Sequence, residues 1–209
     1  MAAIMILAVS ACKDKANEAD TTTAKDTATA EASAITYAVD KAGSSIAWKG
    51  TKPLGAHNGT IALENGTFSV NNGAIESGTF SINMNSIVVT DIPADDEDNA
   101  KLSGHLKSPD FFNVEAHPTA TFEITGFETK DGKNLLSGNL NIKGKENNIT
   151  IPVAVNESEN GVTITSEPFS IDRTKWDIRY GSKTFFDNLG DRFINDDIEL
   201  KITIKGKKA

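Results

Sequence analysis

The groups in this chain that could do chemistry are few and scattered. Its three histidines, His57, His105 and His117, stand far apart and form no HExxH pair, so their spacing offers no zinc site. The densest carboxylate run, DIPADDED from Asp91 to Asp98, lacks the D-x-[DN]-x-[DN]-G order of a calcium loop. It reads as a solvated turn that places acids at the start of a short helix, where the helix dipole favours them. No GxSxG elbow, P-loop or dinucleotide fingerprint occurs. His105, Asp110 and Asp177 are the groups able to serve as acid or base, but no pair among them is spaced for joint action. No catalytic residue and no metal ligand is assigned on these grounds. Arg173, in the stretch IDR, offers something else: its forked donors suit a phosphate or carboxylate. His57, His105 and Arg179 are the next candidates for holding a polar head group. The alternative for Arg173 is structural, as an ion-pair partner of a neighbour such as Asp172 or Asp177 or a cap on barrel-end carbonyls.

Bulk charge narrows the field. The 209 residues carry a formal net charge of −8, against the basic footprint that nucleic-acid binding needs. A single cysteine, Cys12, rules out a disulfide framework within one chain and any cysteine-rich metal site. That cysteine closes an apolar run, MAAIMILAVSA, too short for a membrane span of about 20 residues but of signal-peptide length. Val9-Ser10-Ala11-Cys12 resembles a bacterial lipobox, which implies lipidation of Cys12, and several acyl chains on one residue anchor stably where one is marginal. Residues 1–12 are therefore read as a lipoprotein-type signal. Residues 13–34, rich in Ala, Thr, Asp, Glu and Lys and without aromatic residues, are expected to be a disordered tether.

The elements that must position the candidate groups are strands. From Ile35 onward apolar residues recur at period two: Ile46 and Trp48, Phe80, Ile82 and Met84, Phe122 and Ile124, Leu136, Leu140 and Ile142, Ile149 to Val155, Phe169 and Ile171, and Ile198 to Ile204. Asn65-Gly66, Asn72-Gly73, Asp131-Gly132 and Asn160-Gly161 supply tight-turn signals between them. Sequential hairpins with almost no helix predict an all-β antiparallel sheet of eight or nine strands that closes on itself, the last strand pairing with the first, with one or two short helices in connecting segments. Pro152 faces outward and marks a strand end or edge. Gly78, Gly126 and Gly138, inside strand patterns, mark either bends or places where a ligand approaches the backbone. Residues 35–209 form this barrel domain. The segment from Leu102 to Phe122 breaks the pattern. Leu102 and Leu106 make one helical face, and Phe111, Phe112 and the histidines form a plug between that helix and the mouth of the sheet.

Four blocks of this chain, YAVDKAGSSIAWKG, HLKSPDFFNVEAHPTATF, GNLNIKG and FSIDRTKWDIRYGS, together resemble the YceI-like family over roughly Tyr37 to Lys205. The resemblance implies a lipocalin-like barrel at the bacterial periplasm or cell envelope, carrying a long lipid, often a polyisoprenoid, in an apolar tunnel. Trp48, Phe80, Ile82, Phe122, Leu140 and Phe169 are then wall candidates on the apolar phase of their strands. Phe111, Phe112, Trp176 and Tyr180 are candidates for lining or covering the mouth.

The expected partners are a long-chain isoprenoid or other amphiphilic lipid, the membrane through a lipidated Cys12, and no nucleic acid; a homodimer is left open. No cofactor is expected beyond the lipid itself. The leading expectation is non-enzymatic binding, sequestration or transport, with a quinone precursor or an undecaprenyl-like carrier as examples of the ligand. The alternatives are an enzyme acting on a bound hydrophobic substrate and a structural or stress-related envelope protein with a filled barrel.

Overall fold

A computed structural model describes residues 17–209, so the apolar run and Cys12 lie outside the described residues. The chain runs through β1 (Asp20–Thr22), β2 (Ile35–Val39), β3 (Ser45–Lys52), β4 (Gly55–Ile61), β5 (Leu63–Asn71), β6 (Ala74–Asn83) and β7 (Val88–Val89). The helix α1 (Glu97–Lys107) follows, then β8 (Thr119–Lys130), β9 (Lys133–Ile142), β10 (Lys145–Ser158), β11 (Gly161–Ser166), β12 (Phe169–Asp172) and β13 (Asp197–Lys208). The alternating strands close a ring, β2–β5–β6–β8–β9–β10–β11–β13 and back to β2, with every pairing antiparallel. The last strand does pair with the first barrel strand, Gly206 opposite Val39, which removes the open edges.

One end of the barrel carries a second layer of pairings. The first half of β13 leaves β2 and β11 and pairs instead with β3 and β12, Leu200 lying between Trp48 and Phe169. β3 in turn pairs with β4, and β4 with β7. Asn72-Gly73 and Asp131-Gly132 make the positive-φ hairpin turns their sequence announces, and Lys143-Gly144 makes a third. Asn65-Gly66 is not a turn. It lies within β5, beside a register shift between Leu63 and Asn65, so its signal marks a bulge in a continuing strand. Pro152 is exposed and sits where β10 exchanges β1 for β11 as its neighbour.

Residues 17–34 differ from the tether expected of them. They lie along the barrel, held by backbone and amide groups in place of large apolar side chains. Asp20 to Thr22 pair with Thr150 to Asn148, and Ala19 N–H donates to Ser170 O at 2.9 Å. This places β1 in the gap that opens where β10 and β12 separate. Beyond it, Asn139 bonds both the N–H and the C=O of Lys25, and Ala28 N–H donates to Ile124 O beside the Ile124/Gly126 bulge. Asn139 and Asn148, buried and bonded to each other, are covered by this strap.

The interior is filled at one end and hollow at the other. Tyr37, Phe68 and Phe80 stack in sequence with ring centroids 5.6 and 5.8 Å apart, and Phe80 meets Phe122 at 6.3 Å. Gly138 lies beneath the Phe122 ring, and a Cβ there would sit 2.2 Å from it. That glycine is clearance for an aromatic ring, not for a ligand. The ladder belongs to the end where β13 pairs with β2 and β11, and none of Tyr37, Phe68, Phe80 and Phe122 borders the cavity described next.

Candidate functional site

The hollow end encloses a cavity of about 340 Å³. The inward phase of β3 forms one wall in order of depth: buried Ile46, then Trp48, then Gly50, then exposed Lys52 at the rim. Ile198 and Leu200 of the neighbouring β13 extend this wall, and Ile82 of β6, Leu140 of β9 and Ile171 of β12 supply others. Leu102, His105 and Leu106 of α1 and the following Phe111 and Phe112 cover it from one side. Trp176, Ile178, Tyr180, Arg192 and Ile194, from the long segment before β13, cover it from another. Among the described residues the lining contains no carboxylate.

The helix sits where it does for local reasons. Asp96 caps it by accepting from Asp98 N–H at 2.9 Å, and Glu97 and Asp98 occupy the first turn. Thus the acidic run serves the helix start, as its composition suggested. The opposite face then presents Leu102, His105 and Leu106 to the cavity. His105 packs edge-on against Tyr180, centroids 4.5 Å apart, and against Phe111 at 5.9 Å. This aromatic contact joins the helix to the segment before β13 and forms a cover of rings. Tyr180 is half exposed, and Leu54, at the β3–β4 turn, is 82% exposed.

Of the residues expected to form the site, Trp48, Ile82, Phe111, Phe112, Leu140, Trp176 and Tyr180 border the cavity, and Phe80, Phe122 and Phe169 do not. Phe80 and Phe122 belong to the filled end. Phe169 is buried beside Leu200 in the β12–β13 pair. Among the head-group candidates, Arg179 is displaced to the surface, where it pairs with Asp177 and lies over the Phe185 ring. Of the acid–base candidates, His105 alone borders the cavity, while Asp110 and Asp177 are exposed. Met84, Ile87, Ile178 and Ile194 also line it, although sequence reasoning singled none of them out as walls. Ile178 and Ile194 sit in a segment without regular alternation, so no periodic signal marks them.

Arg173 reaches the cavity wall but is largely committed elsewhere. Its side chain is fully buried and donates to the carbonyls of Asn195, Ile178 and Ile194 at 3.2, 2.7 and 3.1 Å, and to Asp196 Oδ1 at 3.3 Å. Four bonds leave about one of its five N–H groups for anything else. Burial pulls the guanidinium below its ordinary pKa, and Asp196 and Asp172 push it back up. The geometry is that of a clamp on the segment before β13. The role is structural, but the ion-pair partner is Asp196 and not Asp172 or Asp177, and the carbonyls belong to the segment before β13.

His57, at the rim, is fixed by Asp91. Its Nδ1 lies 2.9 Å from Asp91 Oδ2, while Asn58 N–H donates to Asp91 Oδ1 at 2.8 Å. Desolvation raises the Asp91 pKa, but the Asn58 amide and His57 together outweigh it, and the carboxyl is held below the usual 3.8. A lowered folded-state value stabilises the protein above the unfolded carboxyl pKa and loses that contribution as pH falls through the folded one. We expect the stability difference between the wild type and Asp91→Asn to be constant above about pH 5 and to close as the pH drops through the carboxylate range. Urea unfolding midpoints across pH check this, and a difference that persisted unchanged into strong acid would refute it.

Fold and site together define a class: the eight-stranded antiparallel barrel with an internal apolar cavity, a geometry able to hold one small ligand. Within that class the chain belongs to the YceI-like family, whose domain matches residues 37–206. A UPF0312 protein of Azotobacter vinelandii is 39% identical over 61 residues, 29% of this chain and 30% of that protein. Another, from Ectopseudomonas mendocina, is 32% identical over 132 residues, 60% of this chain and 62% of that one. The matched stretches therefore span less than two thirds of either relative. Among solved structures, Burkholderia cenocepacia BcnA superposes with a TM-score of 0.63 at 19% identity, covering 80% of this chain and 98% of that one. A polyisoprenoid binding domain from Saccharophagus degradans, implicated in plant cell wall breakdown, gives 0.59 at 15% identity, covering 84% and 99%. At these identities the likeness concerns the fold.

Proposed function

We propose that the protein is a non-enzymatic lipid binder of the bacterial envelope, holding the isoprenoid or acyl tail of an amphiphile in the cavity of its hollow end. The observation that carries this reading is the cavity itself: largely aliphatic and aromatic walls, no carboxylate in the lining among the described residues, and basic residues, Lys52 and Arg192, at an exposed rim. Such a site favours tails through burial, about 0.8 kcal/mol per methylene, and discriminates weakly among chain lengths. The likeness to a polyisoprenoid binding domain supports an isoprenoid as the ligand class. A volume of about 340 Å³ stands near the small end of ligand sites, which run from about 300 to 1,000 Å³. A long isoprenoid is therefore held by part of its tail, and the rest leaves through the rim. Anchoring through a lipidated Cys12, with sequestration or transport of the lipid at the periplasmic membrane surface, belongs to the same proposal.

The direct test is organic extraction of protein purified from a bacterial envelope fraction, followed by mass spectrometry. A stoichiometric amphiphile with a prenyl or acyl tail is expected. Protein that carries none and takes up none from added isoprenoid would end the proposal and leave a barrel with an unused hollow.

A further inference from the structure

Trp48 holds a group that the walls do not account for. Its side chain is almost wholly buried, yet the indole N–H has no hydrogen-bond partner among the described residues, where it is the one buried side-chain polar atom so placed. The other tryptophan bordering the cavity, Trp176, shows the ordinary arrangement, donating to Leu140 O at 2.9 Å. Buried donors nearly always have an acceptor, and one left without it is destabilising. One side of Trp48 is closely packed and the other is open. Gly59, opposite it on β4, lies against the Val88 carbonyl, which a Cβ would approach to 1.8 Å, and under the Cε2–Cζ2 edge of the ring, 2.7 Å from it. Gly50, one step toward the rim on the same face of β3, has nothing within 4 Å of where its Cβ would stand.

From this donor and this clearing we infer that the ligand of the cavity carries a neutral oxygen acceptor, a carbonyl, ether or hydroxyl oxygen, seated beside Trp48 over Gly50. A purely hydrocarbon segment would leave the donor as it is. A phosphate at that depth would need compensating charge, and among the described residues no uncommitted lysine or arginine lines the cavity there. Arg173 is committed to three carbonyls and a carboxylate, and Lys52 and Arg192 are at the exposed rim. The amphiphile's first polar atom thus lies inside the barrel, and any charged group it bears lies outside. This rests on the reading of the cavity as a lipid site.

The test compares farnesylacetone, an isoprenoid ketone, with the hydrocarbon farnesene. With two tryptophans in the chain, 15N-labelled protein gives two indole N–H cross-peaks, and Trp48→Phe assigns them. The ketone is expected to move the Trp48 peak downfield, and farnesene is expected to bind without doing so. In Trp48→Phe both ligands lose some wall contact, and the ketone should lose roughly 3- to 10-fold more affinity than farnesene, the range of one neutral hydrogen bond. Equal losses for both ligands, or a bound ketone that leaves the Trp48 peak in place, would overturn the inference while sparing the lipid site. Failure of both ligands to bind the wild type would remove the lipid site and the inference with it. If Trp48→Phe does not fold, triple-resonance assignment of the two indole peaks lets the wild-type titration decide the matter alone.

Discussion

Filling the clearing at Gly50 is expected to empty the cavity of lipid without harming the fold. Gly50 lies on the inward phase of β3, between Trp48 and the rim, opposite His57 on one side and Ile198 on the other. Its backbone is not in the positive-φ region and its missing Cβ would meet nothing within 4 Å. Leucine or phenylalanine there can project into the hollow with no neighbour to displace. Strand interiors also disfavour glycine, so stability should hold or rise. Each methylene of a ligand kept out of the walls forfeits about 0.8 kcal/mol. Exclusion of about three therefore weakens binding on the order of 50-fold. Gly50→Leu should retain far less lipid after purification than the wild type, at an equal or higher Tm. Gly126→Leu is the control, since that glycine has equally open space but does not border the cavity. Undiminished lipid in Gly50→Leu would place the ligand elsewhere on the molecule.

The same geometry shows what a sequence can and cannot say about such a site. Alternation distinguishes the inside of a strand from its outside, and on that basis Phe80 and Ile82 are equivalent. They are two residues apart, about 7 Å along the strand, and that distance separates the filled end from the hollow one. Height along the barrel axis depends on register with neighbouring strands, on Gly66 and Phe122 opposite Phe80 and Ala120 opposite Ile82. Pairing of that kind has no signature within one strand. Gly138 is similar: its period-two position reads as a bend or a ligand clearing, and the ring over it comes from β8. Residues 17–34 were opaque for another reason. Composition counts side chains able to bury apolar surface, and that segment has few. What holds it is its own backbone N–H and C=O groups, bonded to β10, to Asn139 and to the bulged Ile124 carbonyl. The closed antiparallel ring and the short helix were legible because alternation, turn pairs and the Leu102/Leu106 face are written in local spacing, whereas the short strands β1, β4, β7 and β12 raise the count among the described residues to thirteen, beyond the eight or nine expected.

Arg173 provides the sharpest separation between a ligand contact and a structural clamp. If its guanidinium held a head group, Arg173→Met would weaken lipid binding in a protein of ordinary stability. The bonds observed point the other way. The side chain gathers carbonyls of residues 178, 194 and 195, the two ends of the loop that covers the cavity, and sits 5.4 Å from the Phe111 ring. Methionine fills much of the volume but leaves three carbonyls and Asp196 without the donor they share. Breaking a buried, hydrogen-bonded ion pair from one side costs about 3–5 kcal/mol. For a domain of this size that lowers Tm by roughly 6–20 °C. Hydrogen exchange should quicken across residues 177–196 before it does so in the barrel strands, since the loop is what the clamp closes. Lipid release from Arg173→Met should then be faster for every ligand alike, charged or neutral, because the lost element is the cover and not a contact with the head group. A Tm within about 2 °C of the wild type, coupled with selective loss of anionic lipids, would show that the guanidinium is a ligand contact after all.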